Sequence, residues 1–525
     1  MRFIPSLLFF TLSTVCAYAQ NKPPVIEALT ATPDWANNKL TVQYDVSDGE
    51  GDVLDVKLEF SNDGGKTYKV TPVIALSGDV GYPVPPGSNR LITCDVSQLP
   101  AGPTLYQIRL TADDRQPFDI QALVNEVDSN RLRADLDFVE GIRHRTAGAA
   151  HLAAVRDSMK RLLSNAGLFV EEQTFTYTNT TGRNVLGTLR GTGDAQKTVI
   201  VDAHYDTVAN APGADDNGSG TVGVWEIARL LSRYPAKKTL RYIGFDLEEA
   251  GLIGSTRFVT NGIPAGDQIE GVLNFEMIGF YSEKPGSQTL PTGFDILFPG
   301  AYNEVFLNQS KGDFITNVGN SASSALAALF ANSASQYVPG LKVITVVVPG
   351  NGSIAPDLQR SDHAPFWVAG HKALMLTDGA NFRNTSYHTP NDVYEDKLNF
   401  TFMSNVVKAA LATAAQLAEL QHGAWATTVF EKSTSVPSPA DNCAPTLSMG
   451  NSRNLLNLHI QRDCRLSLAD IELYDENGRS VLHRVVLNPV EGNNPVFLDS
   501  SLARGAYLAK IRLGEGVLTQ VVTIF

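Results

Sequence analysis

Thr198-Val-Ile-Val-Asp-Ala203 runs directly into His204-Tyr-Asp206. The run of six, mostly apolar, reads as a strand buried on both faces; the histidine and aspartate after it are groups delivered to a sheet edge. The arrangement repeats outward. Thr239 to Phe245 is a second buried run, followed by Asp246-Leu-Glu-Glu-Ala-Gly-Leu-Ile-Gly-Ser255. Val272-Leu-Asn-Phe275 ends at Glu276, and Ala373-Leu-Met-Leu376 precedes a loop holding Ser386-Tyr-His-Thr-Pro390. Leu152–Ala166 and Ser219–Tyr234 have the apolar spacing of amphipathic helices. Strands alternating with helices predict a three-layer α/β domain with a mostly parallel sheet. Its ligand site is expected outside the carboxyl ends of the strands.

The flanking sequence has a different rhythm. Leu40–Val46, Val56–Phe60 and Tyr106–Ala112 alternate apolar and polar residues, separated by turns at Asp48–Asp52 and Asn62–Lys66. Short alternating strands at this spacing predict a β-sandwich of immunoglobulin or fibronectin-III type. The acidic turn with Asp48, Glu50 and Asp52 reads as solvated, with calcium binding as its alternative. Ser433–Pro445 is a Ser/Pro-rich linker, and Leu455–Phe525 returns to short strands around turns such as Asn477-Gly478, a second small sandwich. The expected division is a signal segment over 1–19, a sandwich over 20–118, the α/β domain over 119–428, a linker over 429–446 and a sandwich over 447–525.

Composition narrows the functional classes. The 525 residues carry 42 Lys+Arg against 55 Asp+Glu, a net charge of −13, with no basic run able to track a phosphate backbone. Nucleic acid is therefore excluded as a partner. Met1-Arg2, the apolar stretch Ile4–Thr14 and Ala17-Tyr-Ala19 form a secretory signal pattern, so the protein is expected to be secreted or on the cell surface. No later stretch is long and apolar enough to span a bilayer. Cys94 reads as a small buried hydrophobe, while Cys443 and Cys464 are candidates for a local pair in an oxidising compartment.

The chemistry collects at the strand ends. His204, Asp206, Asp216, Glu248, Glu249, Glu276 and His388 form a mixed imidazole and carboxylate set without thiolates, which suits Zn²⁺ or a similar ion. A carboxylate shared between two cations makes a two-metal clamp. The adjacent Glu248-Glu249 pair allows one acid to ligate while the other stays free as a base. Asp215, at a helix start, reads as a cap.

In order and spacing, His204-x-Asp206, Asp215-Asp-Asn-x-Ser-Gly220, Glu248-Glu-x-Gly-Leu-x-Gly-Ser255 and the late Tyr387-His388 resemble the co-catalytic di-zinc aminopeptidases. These belong to clan MH, the clan of glutamate carboxypeptidase II. The resemblance covers roughly 124–424. It implies two Zn²⁺ per chain, with His204 and Glu276 on one, Glu249 and His388 on the other, and Asp216 between them. It further implies Glu248 as general base, Asp206 orienting His204, and a cis peptide at Asp216-Asn217. Asp362 and His363 fall in a segment similar to one lining the family's substrate side, with a structural role as the equal alternative. The activity implied is removal of N-terminal residues from peptides by a water held at the metals. One departure is visible: these aminopeptidases usually show Asp where Glu276 stands, and related carboxypeptidases carry Glu. A carboxypeptidase or dipeptidase with the same centre is therefore the alternative, and a non-catalytic surface binding protein the third reading. Tyr281–Gln359 is expected to shape the pocket. Gly505-Ala-Tyr-Leu-Ala-Lys-Ile511 resembles the sorting domain of type IX secretion substrates, although the usual Pro-Asn-Pro opening is missing. That resemblance implies an outer-membrane secretion machinery as partner.

Overall fold

The computed structural model describes residues 21–70, 74–99, 104–395, 397–432, 446–449, 455–460, 468–474, 480–487, 492–497, 505–513 and 516–524. The signal segment, most of the linker, Cys443 and Cys464 lie outside the described residues. The chain divides into two compact units, one of residues 1–98 with 106–430 and one of 99–105 with 431–525. The boundary expected at 118/119 falls inside the first unit.

In that unit β1 (Val25–Asp34), β2 (Lys39–Ser47), β4 (Leu76–Gly78) and β6 (Gly87–Asp95) form one sheet, ordered β1-β2-β6-β4. A second sheet, ordered β16-β7-β3-β5, contains β3 (Leu54–Ser61), β5 (Gly81–Val84), β7 (Thr104–Asp113) and β16 (Gly423–Lys432). Alternation places Leu40, Val42, Tyr44 and Val46 inside, as it does Leu54, Val56, Leu58 and Phe60. Cys94 is buried and has no disulfide among the described residues, and burial pushes its thiol up to about 12. The strand β16 corrects the expected division. The chain leaves the α/β core and returns to pair with β7, so residues 423–432 are neither core nor linker.

The α/β core is built on eight strands: β8 (Phe169–Tyr177), β9 (Thr180–Leu189), β10 (Lys197–His204), β11 (Thr239–Phe245), β12 (Gln268–Phe275), β13 (Ile315–Asn320), β14 (Val343–Val348) and β15 (Ala373–Thr377). Their order is β14-β13-β15-β12-β10-β11-β9-β8. The sheet is mixed, with four of its seven pairings parallel. Parallel pairing joins β15, β12, β10 and β11 at the centre, whereas β13 runs antiparallel to β15, and β9 antiparallel to β11 and β8. Both faces are covered, as the apolar run in β10 requires. Val199 and Val201 face a cluster with the helices Ala149–Asn165, Gly220–Leu231 and Phe400–Ala418, while Ile200 faces one with Phe258, Phe366 and Trp367.

The second unit contains a three-stranded sheet, Thr446–Met449, Leu455–Ile460 and Gly492–Phe497, and a four-stranded sheet, Leu468–Tyr474, Ser480–Leu487, Gly505–Leu513 and Gly516–Ile524. Leu456 and Leu458 of the first share one buried cluster with Ile471, Ala509 and Ile511 of the second.

Candidate metal centre

Because β10, β11 and β12 are parallel neighbours, their carboxyl ends lie side by side, which brings three separate loops to one place. His204 is the last residue of β10, Glu248 and Glu249 follow β11, and Glu276 follows β12. Asp216 comes from the short turn that leads into the helix Gly220–Leu231, and His388 from the loop after β15.

Two groups of ligand atoms result, His204–Asp216–Glu276 and Asp216–Glu249–His388, with Asp216 common to both. His204 Nε2 lies 3.5 Å from Asp216 Oδ1 and 3.4 Å from Glu276 Oε2. His388 Nε2 lies 3.0 Å from Asp216 Oδ2 and 3.1 Å from Glu249 Oε2. Glu248 belongs to neither group; its Oε2 is 3.9 Å from His204 Nε2. The residues fit a pair of cations. Among the described residues, His204 Nε2 and Glu249 Oε1 are buried without a hydrogen-bond partner, and four carboxylates converge on two imidazoles.

Electrostatics record the same crowding. Burial would lower the His388 imidazole, but the Asp216 and Glu249 carboxylates overcome it and push it up to about 10. Burial, reinforced by Asp216, pushes Glu249 up to about 7. Burial raises Glu248 well above the usual carboxylate range, against the pull of His204.

Outside the ligands, Asp206 does more than orient His204. His204 Nδ1 lies 3.2 Å from the Asp206 carbonyl and 3.5 Å from its Oδ1. The same carboxylate accepts hydrogen bonds from the backbone N–H of Glu248, at 3.0 Å, and Glu249, at 3.3 Å. It thereby ties Glu248 to the candidate ligand set. The Thr221 hydroxyl donates to the His204 carbonyl, and Ser361 Oγ donates to Glu276 Oε2 at 2.6 Å. The Asp216–Asn217 peptide is cis. Asn217 Oδ1 accepts from Met277 N, and its amide donates to the Phe275 carbonyl, which joins the turn to the end of β12.

Three sequence readings change. Asp215 does not cap the following helix: its oxygens accept from Gly279 N and Asn384 Nδ2, stitching two loops to the turn. Asp362 and His363 are fully buried, which favours the structural alternative. His363 donates from Nε2 to the Leu358 carbonyl and sets its ring edge-on against Trp367, while burial pushes the Asp362 carboxyl up to about 7. Asp392, absent from the sequence reading, accepts from the N–H of both Asp215 and Asp216 and holds the backbone of the residue common to both candidate groups. Its one sequence signal was an acid four residues beyond His388. The acidic turn also gains a member, since Asp48 and Asp52 converge with the buried Asp114.

Residues 184–414 match peptidase family M28. The M28 segment contains all six of His204, Asp216, Glu248, Glu249, Glu276 and His388. Over 228 residues the chain is 31% identical to the uncharacterized protein YfbL of Escherichia coli, covering 41% of this chain and 65% of that one. It is 30% identical over 232 residues to aminopeptidase YwaD of Bacillus subtilis, covering 42% and 41%. It is 27% identical over 255 residues to a probable zinc metalloprotease of Leptosphaeria maculans, covering 45% and 57%. The chain thus spans less than two thirds of the length of these relatives.

Proposed function

We propose that the protein is an exported zinc-dependent aminopeptidase that hydrolyses the first peptide bond of its substrates at a two-metal centre. The observation behind this reading is the pair of three-ligand groups sharing Asp216, with Glu248 left over beside them. The M28 match and the zinc and aminopeptidase names of two relatives support the metal and the hydrolase chemistry. Zinc bound there would polarise the scissile carbonyl and make water nucleophilic near neutral pH. Glu248, outside both ligand groups, takes the proton from the attacking water and passes it to the leaving amine. Asp206 holds the backbone of Glu248 and Glu249 together, which fixes the base relative to the ligands. The acidic cluster attracts the substrate's free ammonium group.

Glu276 keeps a carboxy-end reading in view, because such an enzyme needs a cation for the substrate carboxylate. Arg360 lines the cavity beside Glu276, but its guanidinium already donates to Tyr387 Oη and Asn381 Oδ1. The deciding experiment is zinc content together with hydrolysis of free and N-acetylated aminoacyl arylamides. About two zincs per chain with cleavage of the unblocked substrates alone is expected. Zinc without arylamide cleavage would overturn the amino-end reading, and absence of zinc under metal-replete conditions would overturn the enzyme. Export rests on Met1–Ala19 and on the Gly505–Ile511 resemblance to a type IX sorting domain. A secreted form beginning after Ala19 is its expected signature.

A further inference from the structure

Arg143 lies in the segment that joins the helices Ser129–Val139 and Ala149–Asn165, and it is fully buried. Its guanidinium donates to backbone carbonyls in three stretches of chain, 139–141, 205 and 212–213. Nε donates to the Tyr205 carbonyl at 2.8 Å and Nη2 to the Gly213 carbonyl at 2.8 Å. Nη1 donates to the carbonyls of Val139, Gly141 and Pro212 at 2.7, 3.0 and 2.9 Å. Arg143 N donates to Thr207 Oγ1 at 2.9 Å, which ties the residue a second time to the chain after β10. The approach to the turn is close: a Cβ on Gly213, whose φ is +64°, would stand 2.9 Å from Nη2. Among the described residues its acceptors are carbonyls rather than carboxylates. A buried cation is costly unless other charges balance it, and here the balance comes from the acidic centre. Burial pulls the guanidinium down to about 10, while Asp392, Asp216, Asp206 and Glu140 hold it up.

Two of those stretches adjoin candidate ligands. Tyr205 follows His204, and Gly213 stands shortly before Asp216. Asp392 holds the far side of the same turn through the N–H groups of Asp215 and Asp216, and Arg143 joins the turn to the end of β10. We propose that Arg143 is a positioning residue of the metal centre: its planar fork locks the Asp216 turn against the end of β10 and so sets the His204–Asp216 spacing that a cation on His204, Asp216 and Glu276 requires. The proposal rests on the two-metal reading and deepens it. Lysine is no substitute, because an ammonium offers three donors from one atom, whereas the guanidinium spreads five over a rigid plane.

Arg143→Lys keeps the charge and removes the fork. The folded variant is expected to bind zinc about 10–100-fold more weakly than the wild type, read by competition with a chelator. Its cobalt-loaded form is expected to show a visible absorption band altered in position or intensity, since that band reports the geometry of the ligands. Phe430→Ala is the control, because it loosens the sheet of β16, β7, β3 and β5, where no candidate ligand stands. A lowered thermal midpoint with wild-type zinc affinity and cobalt spectrum is expected there. Thr207→Val removes the acceptor of Arg143 N and serves where Arg143→Lys does not fold, with weaker zinc binding and an altered band again expected. Wild-type affinity and spectrum in the folded variant would make Arg143 a residue of stability alone and overturn the proposal. Equal weakening in Phe430→Ala would trace the loss to stability and overturn it likewise. A wild type that binds no zinc under metal-replete conditions overturns the two-metal reading and the proposal with it, whereas an unchanged variant beside a zinc-binding wild type overturns the proposal alone.

Discussion

Glu248 and Glu249 are chain neighbours that face different partners. Glu249 faces His388 and Asp216, whereas Glu248 faces His204 and joins neither ligand group. Replacing Glu248 by Gln keeps the volume and removes the proton acceptor. Zinc content is expected to hold while kcat falls by about 10²–10⁴-fold, read by metal analysis beside arylamide turnover. Retained turnover would take the base role from Glu248. Asp206 makes a different prediction, because it accepts from two backbone N–H groups and also sits beside His204. In Asp206→Asn one acceptor becomes a donor pointed at an N–H. Zinc affinity or activity is expected to fall about 10–100-fold, and competition with a chelator measures the affinity directly. His204, Asp216, Glu249 and Glu276 were legible as candidates because each stands beside the end of a readable strand or the start of a helix, whereas His388 lies in a loop and was read from the family resemblance. Asp392 was not legible, since the acceptor of two backbone N–H groups leaves no periodic trace, and Asp215 looked like a cap because the loops it joins are distant in sequence.

Elements were read well where the residues alone decide them and poorly where pairing decides. The run Thr198–Ala203 had to be buried on both faces, and it is. Strand direction has no such signal. An apolar period looks the same whichever way a strand runs, so the antiparallel joints at β13–β15 and β9–β11 leave no trace in the sequence. Strand β16 was missed for a related reason, its partner β7 lying some 300 positions earlier, as the Gln421–Asp113 hydrogen bond records with a separation of 308. Phe430 anchors that return. Its ring stacks on Tyr106 at 5.2 Å and meets Phe60 edge-on at 6.2 Å. Phe430→Ala is expected to cost about 3–5 kcal/mol, seen as a lower denaturation midpoint of the first unit. A loss within about 0.5 kcal/mol would show that β16 is dispensable to it.

At the scale of the whole molecule, the centre makes stability depend on pH and metal together. Burial, reinforced by Asp206, pushes Asp246 up to about 7, and burial with Asp215 does the same to Asp392. Glu249 stands at about 7 and His388 at about 10. Each lies above its unfolded value, about 4 for the carboxyls and about 6.5 for histidine. The folded state therefore binds more protons than the unfolded one across this window. The stability from the carboxyls is complete below about pH 4 and is lost as pH rises through about 7. His388 loses its share later, through about 10. Metal-free protein is thus expected to melt at progressively lower temperature between about pH 5 and pH 8. Zinc held by Glu249 and His388 would have to displace the protons of those two groups, so its affinity is expected to climb over that range and its stabilising shift to be larger at the upper end. Thermal unfolding with and without zinc at several pH values measures both trends on one sample. A metal-free melting temperature that rises over the range, or a zinc shift independent of pH, would mean that the acids of the centre are neutralised by protein groups rather than held for a cation.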